Sequence, residues 1–309
     1  MENKHELLSD SPEALKAYLQ FMKQPSYRAK QIFTWLHKGV PFQDMSNLPK
    51  ALRETLLGNT VDFPLSIDGA FESAQDDTVK FLFRCLDGNI IEGVLMHYHY
   101  GYTLCISTQI GCKMGCKFCA STLNGCVRDL TAGEMLCQVI LANRYLGDRG
   151  MIGHVVLMGS GEPLENYDQV VRFLRLINHP DGLNISLRSV SVSTCGLVPQ
   201  IYKLADEGMG ITLSISLHAP NDEIRKQIMP IANRYPIQDL MRAVRHYVKQ
   251  TGRRVLIEYA MIDQLNSKPE HARELAALLS GLQAHVNLIP LNPVKESPLQ
   301  PASAQAIQL

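Results

Sequence analysis

Residues 1–60 place apolar side chains at helical spacing. Leu15, Tyr18, Leu19 and Met22 share one helix face, with Ser11 as cap and Pro12 at the first helical position. Ala29, Ile32, Phe33 and Leu36 mark a second helix, capped by Ser26 and stopped at Gly39, and a third follows Pro49. The period then changes. Segments 79–86 and 89–96 carry strand patterning and flank Asp87-Gly88, a two-residue hairpin turn. From Leu104 onward strand and helix patterns alternate. Strands are predicted at 104–107, 154–158, 189–193, 211–217, 255–259 and 285–289. Helix starts are signalled by Thr131 with Glu134 (a capping box), Asn166, Asn221 and Ser267. Strands joined by helical crossovers imply a parallel sheet. The expected fold is α/β: a small N-terminal helical domain over 1–62, a β-hairpin connector over 63–103, and a curved, partial (β/α)6 barrel over 104–309. An open doubly wound sheet is the alternative.

Composition narrows the class without changing it. The apolar fraction of 46% and charged fraction of 19% are those of a globular protein, and 309 residues suffice for one large domain plus a small one. No run of about 18 apolar residues occurs, so no membrane association is expected. The start, Met1-Glu-Asn-Lys-His-Glu6, lacks the basic and apolar regions of a signal peptide. A cytoplasmic, monomeric protein is expected, its eight cysteines serving metal or redox chemistry. Thirty basic residues balance thirty acidic ones, which argues against nucleic-acid binding as a bulk property. Locally the balance fails. Arg225, Lys226, Arg234, Arg242, Arg245, Lys249, Arg253 and Arg254 face only Glu223 and Asp239, forming either a solvated helix face or a phosphate-facing surface. Lys23, Arg28, Lys30, Lys38, Lys50 and Arg53 decorate the N-terminal helices, as a packing cap or as a grip on nucleic acid.

The densest chemistry is Cys112-Lys-Met-Gly-Cys116-Lys-Phe-Cys119. Thiolates this close repel one another or share a soft metal. A structural zinc ion would need a fourth ligand, for which Cys105 and Cys126 are candidates. A cubane iron–sulfur cluster held by three cysteines keeps one iron open to a ligand. In parallel α/β folds ligands bind at the carboxyl ends of strands, and those ends carry the cysteine loop, Gly159-Ser-Gly161-Glu162-Pro163, Ser193-Thr194, Ser214-Ile-Ser216-Leu217-His218 and Leu291-Asn292-Pro293. Gly159-Ser-Gly161 lacks the third glycine of a dinucleotide fingerprint, and a turn bearing Glu162 suits an ammonium group instead.

The cysteine spacing, with Phe118 before Cys119, resembles the cluster loop of radical S-adenosylmethionine (SAM) enzymes. The resemblance sharpens over Glu92-Gly-Val-Leu-Met96, Thr103-Leu-Cys105-Ile-Ser-Thr-Gln-Ile-Gly-Cys112, Gly161-Glu162-Pro163, Ser191-Val-Ser193-Thr194, Ser216-Leu-His218-Ala-Pro-Asn221, Met229-Pro-Ile231 and His285-Val-Asn-Leu-Ile-Pro290. Together these resemble the RlmN-type dual-specificity RNA methyltransferases, which methylate C2 of an adenosine in large-subunit ribosomal RNA and in certain tRNAs.

The resemblance implies a [4Fe–4S] cluster on Cys112, Cys116 and Cys119, and SAM held by Gly161, Glu162, Ser193, Ser216, Leu217, His218 and Asn292. It implies an external electron donor, a methyl-cysteine intermediate, Glu92 as general base, and Cys105 as the thiol that releases product through a disulfide. Cys85, Cys126, Cys137 and Cys195 match no functional position of the family. The family's methyl-carrying cysteine lies in a C-terminal Ala-Cys-Gly-Gln-Leu type segment, whereas no cysteine follows Cys195 here. The expectation is therefore a truncated chain that binds cluster and SAM without completing methyl transfer. The related C8-directed methyltransferases depart from the Gly-Glu-Pro motif kept here and rank second. A non-catalytic cluster- or RNA-binding fragment ranks third.

Overall fold

The structure is a computed structural model and describes residues 4–308, so the first three residues of the N-terminal stretch read above, and Leu309, lie outside the described residues. The chain divides into two compact units, the first made of 1–110, 129–159 and 168–189, the second of 111–128, 160–167 and 190–309.

In the first unit a short parallel pair, β1 (His5–Glu6) and β2 (Thr60–Val61), brackets three helices. Helix α1 (Pro12–Phe21) begins as expected: Ser11 Oγ accepts from Ala14 N at 3.2 Å, and Leu15 and Leu19 are buried. Helix α2 (Arg28–His37) buries Ala29, Ile32, Phe33, Leu36 and His37. Its start differs from expectation. Tyr27 occupies the cap with no side-chain bond, and Ser26 contributes only its carbonyl, to Ala29 N at 3.2 Å. Helix α3 (Lys50–Asn59) follows Pro49.

The predicted hairpin forms between β4 (Val79–Cys85) and β5 (Ile90–Tyr98), with Gly88 at φ 87° in the turn. It belongs to a larger antiparallel meander. Strand β3 (Leu65–Glu72) pairs with β4, and β6 (Gly101–Cys105) pairs with β5. Phe81 and Phe83 are fully buried beneath it, each contributing about 1.5–3 kcal/mol of apolar burial. Strand β6 ends two residues before the predicted Ser107, because the Gln138 side chain takes over the Ser107 backbone, accepting from its N at 2.9 Å and donating to its O at 3.0 Å.

After β7 (Gln109–Gly111) and β8 (Cys126–Asp129) comes α4 (Ala132–Leu146), buried on most of its faces, and the Thr131–Glu134 capping box forms as expected. Ser9 Oγ accepts from Gly133 N at 2.8 Å, and Glu6 accepts from Thr131 Oγ1 at 3.0 Å. A Cβ on Gly133 would lie 1.7 Å from the Glu6 carboxylate, so only glycine fits there. Strand β9 (Ile152–Leu157) pairs parallel with β6, and α5 (Tyr167–Ile177) follows.

The second unit is a parallel sheet in the order β10 (Val190–Thr194), β11 (Thr212–Ser216), β12 (Val255–Met261), β13 (Ala284–Pro290). Its helices are α6 (Val198–Asp206), α7 (Asp222–Ile228), α8 (Ile237–Thr251), α9 (Pro269–Leu278) and the short α10 (Ala304–Gln308). Asn221 caps α7 as expected, accepting from Ile224 N at 3.0 Å. Lys268, rather than Ser267, occupies the cap of α9. All six predicted barrel strands are therefore present and parallel within their units, the α/β arrangement expected of a partial (β/α)6 barrel. No helix among the described residues is long and apolar enough to cross a membrane.

Candidate functional site

The cysteine loop is built on glycines. Gly111, Gly115 and Gly125 have φ of 76°, 72° and 68°, a region costly for other residues. A Cβ on Gly111 would stand 2.0 Å from Gly125 O, whose carbonyl accepts from Cys112 N at 2.9 Å. Within the loop, Cys119 N donates to Cys116 O at 3.1 Å and Thr122 Oγ1 donates to Cys119 O at 2.9 Å. Two contacts dock the loop within its own unit, one on the end of α7 and one just beyond β11. Lys117 N donates to Ile228 O of α7 at 2.9 Å, and the Phe118 ring meets the His218 ring edge-on at 4.8 Å.

Cys112 and Cys116 are buried and Cys119 is partly so. Burial, then the charges of Glu162, Cys119 and Cys126, pushes the Cys112 thiol up to about 11. Burial, then Cys119, Cys112 and Glu162, pushes Cys116 up to about 12. Buried thiols such as Cys112 and Cys116 ionise readily only beside a soft cation, and with Cys119 the donor set fits an iron–sulfur cluster. Among the described residues no three His, Cys, Asp or Glu side chains converge on one point suited to a single metal ion. A cubane places each thiolate on a different iron, so the cluster reading does not require such convergence.

The predicted SAM contacts share the second unit with the loop. Ser193 and Ser216, at the carboxyl ends of β10 and β11, bring their hydroxyls within 3.4 Å of each other. Leu217 is buried, and its N donates to Glu258 O at 3.1 Å. His218 holds the unusual backbone φ of 55°. Its Nδ1 accepts from Ala260 N at 2.9 Å, which leaves the proton on Nε2, and burial, then the Arg225 charge, depresses its pKa to about 3. Asn266 fixes the same corner by donating to His218 O at 2.8 Å and Ala260 O at 2.7 Å. Gly161 has φ 114°. Glu162 is 3% exposed, and its two oxygens accept from Leu164 N at 3.0 Å and Cys195 N at 2.7 Å. The carboxylate is thus a strut between its own turn and the end of β10. Burial raises its pKa while those hydrogen bonds oppose the rise. Asn292 is exposed just beyond β13.

Glu92 and Cys105 belong to the first unit. The β5–β6 register pairs Val94 with Cys105, so Glu92, two residues from Val94, lies on the same sheet face as Cys105. Ser107 Oγ donates to Glu92 O at 2.7 Å. The Glu92 side chain is exposed and ion-paired with Lys80 at 2.6 Å, so the partial burial expected of a general base is not found. Burial pushes the Cys105 thiol up to about 11, opposed by a hydrogen bond from the Met158 backbone. All eight cysteines are free thiols, so the disulfide implied for Cys105 finds no support.

Sequence reasoning missed three buried polar residues. Glu258 accepts from Ser214 Oγ at 2.9 Å and Asn287 Nδ2 at 2.8 Å, and Asn266 holds the His218 corner. Arg225, counted above with a basic surface run, is fully buried. Others in that run are also engaged internally: Arg245 on Leu278 O, Arg253 on Thr212 Oγ1, and Arg242 on Asp239.

Residues 106–276 match the radical SAM superfamily, and 5–61 match the ribosomal RNA large subunit methyltransferase N-terminal domain. A probable dual-specificity RNA methyltransferase RlmN of Clostridium acetobutylicum is 48% identical over 309 residues, covering 100% of this chain and 88% of that protein. That of Alkaliphilus oremlandii is 50% identical over 305 residues, covering 98% of this chain and 88% of its own length. The crystal structure of a radical SAM methyltransferase from Sphaerobacter thermophilus superimposes with a TM-score of 0.96 at 42% identity, covering 98% of this chain and 90% of that one. With its three-cysteine loop docked on the end of α7 and on His218 just beyond β11, the chain belongs to the RlmN family of radical SAM methyltransferases.

Proposed function

We propose that the protein methylates C2 of adenosine in large-subunit ribosomal RNA and in certain tRNAs, in the cytoplasm, as a monomer drawing electrons from an external donor. The cofactors that family membership brings are a [4Fe–4S] cluster and SAM. The observation that carries the reading is the docking of the cysteine loop, through Lys117 and Phe118, onto Ile228 and His218 of its own unit. When bound, the cluster supplies the electron that breaks a sulfur–carbon bond of SAM.

The residues of the chain do the rest. Cys112, Cys116 and Cys119 would hold the cluster, which would bind SAM at its open iron. The Gly161–Glu162 turn offers backbone carbonyls to the SAM ammonium, and the buried Glu162 carboxylate keeps that turn in place. Ser193, Ser216 and Asn292 offer polar groups to the ribose and amino-acid portions, with Leu217 and the neutral His218 as walls. Glu92 accepts the proton from C2 once Lys80 is drawn away. Cys105, its thiol kept protonated until needed by burial, would attack the sulfur of the methyl-carrying cysteine, forming a disulfide as the sulfur–carbon bond to the RNA breaks and the departing carbon takes the electron pair and a proton.

The test is an anaerobic assay with reconstituted cluster, dithionite, SAM and ribosomal RNA. The 309-residue polypeptide is expected to form 5′-deoxyadenosine. Methylated RNA recovered from the assay is expected to carry the new methyl group on C2 of adenosine. A methyl group on C8 would overturn the C2 assignment, and absence of 5′-deoxyadenosine from a cluster-loaded chain would overturn the radical SAM assignment of the site.

A further inference from the structure

Arg225 is the most deeply buried charge in the second unit. It sits in α7 at 0% exposure, and no carboxylate forms an ion pair with it among the described residues. Its Nη2 donates to Cys195 O at 2.6 Å and its Nε to Leu217 O at 3.3 Å, the first residues past the ends of β10 and β11. Nη1 is buried and has no partner. A guanidinium is not stably buried on two neutral carbonyls alone, since an uncompensated interior charge is costly. Asp222 helps sustain the Arg225 charge without forming an ion pair, and a further anionic group is called for beside the unpartnered Nη1. The last turn of α7, three residues further on, is tied to the cysteine loop by Lys117 N on Ile228 O at 2.9 Å. Next along the chain, Pro230 approaches Gly115 to 3.4 Å of where a Cβ would stand.

We infer that Arg225 is the built-in countercharge of the iron–sulfur cluster, a positioning residue whose fixed positive charge favours the reduced cluster. The inference rests on the assignment of Cys112, Cys116 and Cys119 as cluster ligands. A [4Fe–4S] cluster in its 2+ state on three thiolates carries net −1, and uptake of one electron from the external donor, with no proton, makes it −2. A fixed positive charge favours the second state over the first, and net charge, hydrogen bonding and solvent exposure together set cluster potentials. The electrostatics agree in sign: burial works against the guanidinium charge, and Cys195, Cys116 and Asp222 sustain it.

The test compares wild type with R225M, R225Q and R225K after anaerobic reconstitution. Iron and acid-labile sulfide content is measured first. Wild type that takes up no cluster would reject the ligand assignment itself, separately from the role of Arg225. EPR-monitored titration with dithionite then reads the reduced fraction at fixed potential. R225K is expected to lie near wild type. R225M or R225Q, whichever folds, is expected to show at least a tenfold lower ratio of reduced to oxidised cluster, equal to 59 mV for a one-electron couple. Loss of the cluster from both neutral variants with retention in R225K also supports the countercharge. A loaded neutral variant with wild-type potential overturns it. A variant with wild-type potential but tenfold weaker SAM binding overturns it too, assigning Nη1 to the SAM carboxylate. Collapse of all three apo-proteins in thermal melts would assign Arg225 to packing alone.

Discussion

Replacing His37 with leucine should make the first unit more resistant to acid. His37 is 5% exposed, its ring tilted against Phe33 with centroids 4.1 Å apart, and neither ring nitrogen has a hydrogen-bond partner. Burial, then the charge of His179, depresses its pKa from 6.5 to about 3. The folded protein therefore refuses a proton that the unfolded chain accepts below pH 6.5. Stability is fully present above that value and falls as pH drops toward 3, because the unfolded state binds more protons throughout the window. Each pH unit inside the window costs about 1.36 kcal/mol, so moving from pH 6.5 to 5 removes about 2 kcal/mol through this residue alone. Leucine has nearly the same bulk and does not titrate. It also removes two unsatisfied buried nitrogens, each about 1–3 kcal/mol unfavourable. Wild type and H37L would be unfolded in urea at pH 7, 6, 5.5 and 5, followed by circular dichroism and by amide exchange in α2. The difference between their stabilities should widen by about 2 kcal/mol over that range in favour of the variant. Parallel pH dependences would refute the reasoning, since His218 and the surface carboxylates titrate alike in both proteins.

Further outcomes follow from the site. G111A should strain the cysteine loop by about 1–3 kcal/mol through its positive φ, with added overlap against Gly125 O, and reconstituted iron content should fall well below that of wild type. E162Q keeps only one acceptor oxygen for the Leu164 and Cys195 amides, so urea unfolding should show a loss of about 1–3 kcal/mol. C116S should abolish stable iron and sulfide incorporation while leaving the apo-protein melt nearly unchanged, as elemental analysis and calorimetry would show. C105A should cleave SAM as wild type does, yet release no methylated RNA. Release at the normal rate would remove Cys105 from the chemistry.

Legibility in the sequence followed the range of the interactions involved. The Thr131–Glu134 capping box and the Asn221 cap were readable because each closes within one helical turn. Strand β12 was readable because both its faces are largely covered, and β10 and β11 because apolar residues recur at every second position, whereas β13, with no fully buried residue, was readable only from its apolar positions. Strand β3 was not: only Leu65 of its residues is buried, which leaves no alternation to detect. Ser26 is a good cap residue by type, but α2 starts two residues later on Arg28, whose side chain is drawn to Asn47 O at 2.6 Å. The cysteine triad announced its chemistry through spacing alone. Glu162 was visible as a site residue, yet its use as a strut depends on the amide of Cys195, 33 positions away in the chain. Arg225 was misread for the same reason: its carbonyl partners at Cys195 and Leu217 come from separate strands.

The meeting of Glu6 and Ser9 with the amino end of α4 bears on how separable the N-terminal helices are. The amide of Gly133 finds its acceptor not in its own helix but on a side chain more than a hundred residues earlier, and Glu6 closes over the same turn. A polypeptide begun after Asn59 would leave that helix start bare, with a groove shaped by the missing carboxylate where a glycine now sits. The N-terminal helices are thus not a detachable cassette that evolution or an engineer could graft freely. They are the missing piece of the catalytic scaffold's first helix, and exchange between relatives should succeed only when both halves of that joint travel together.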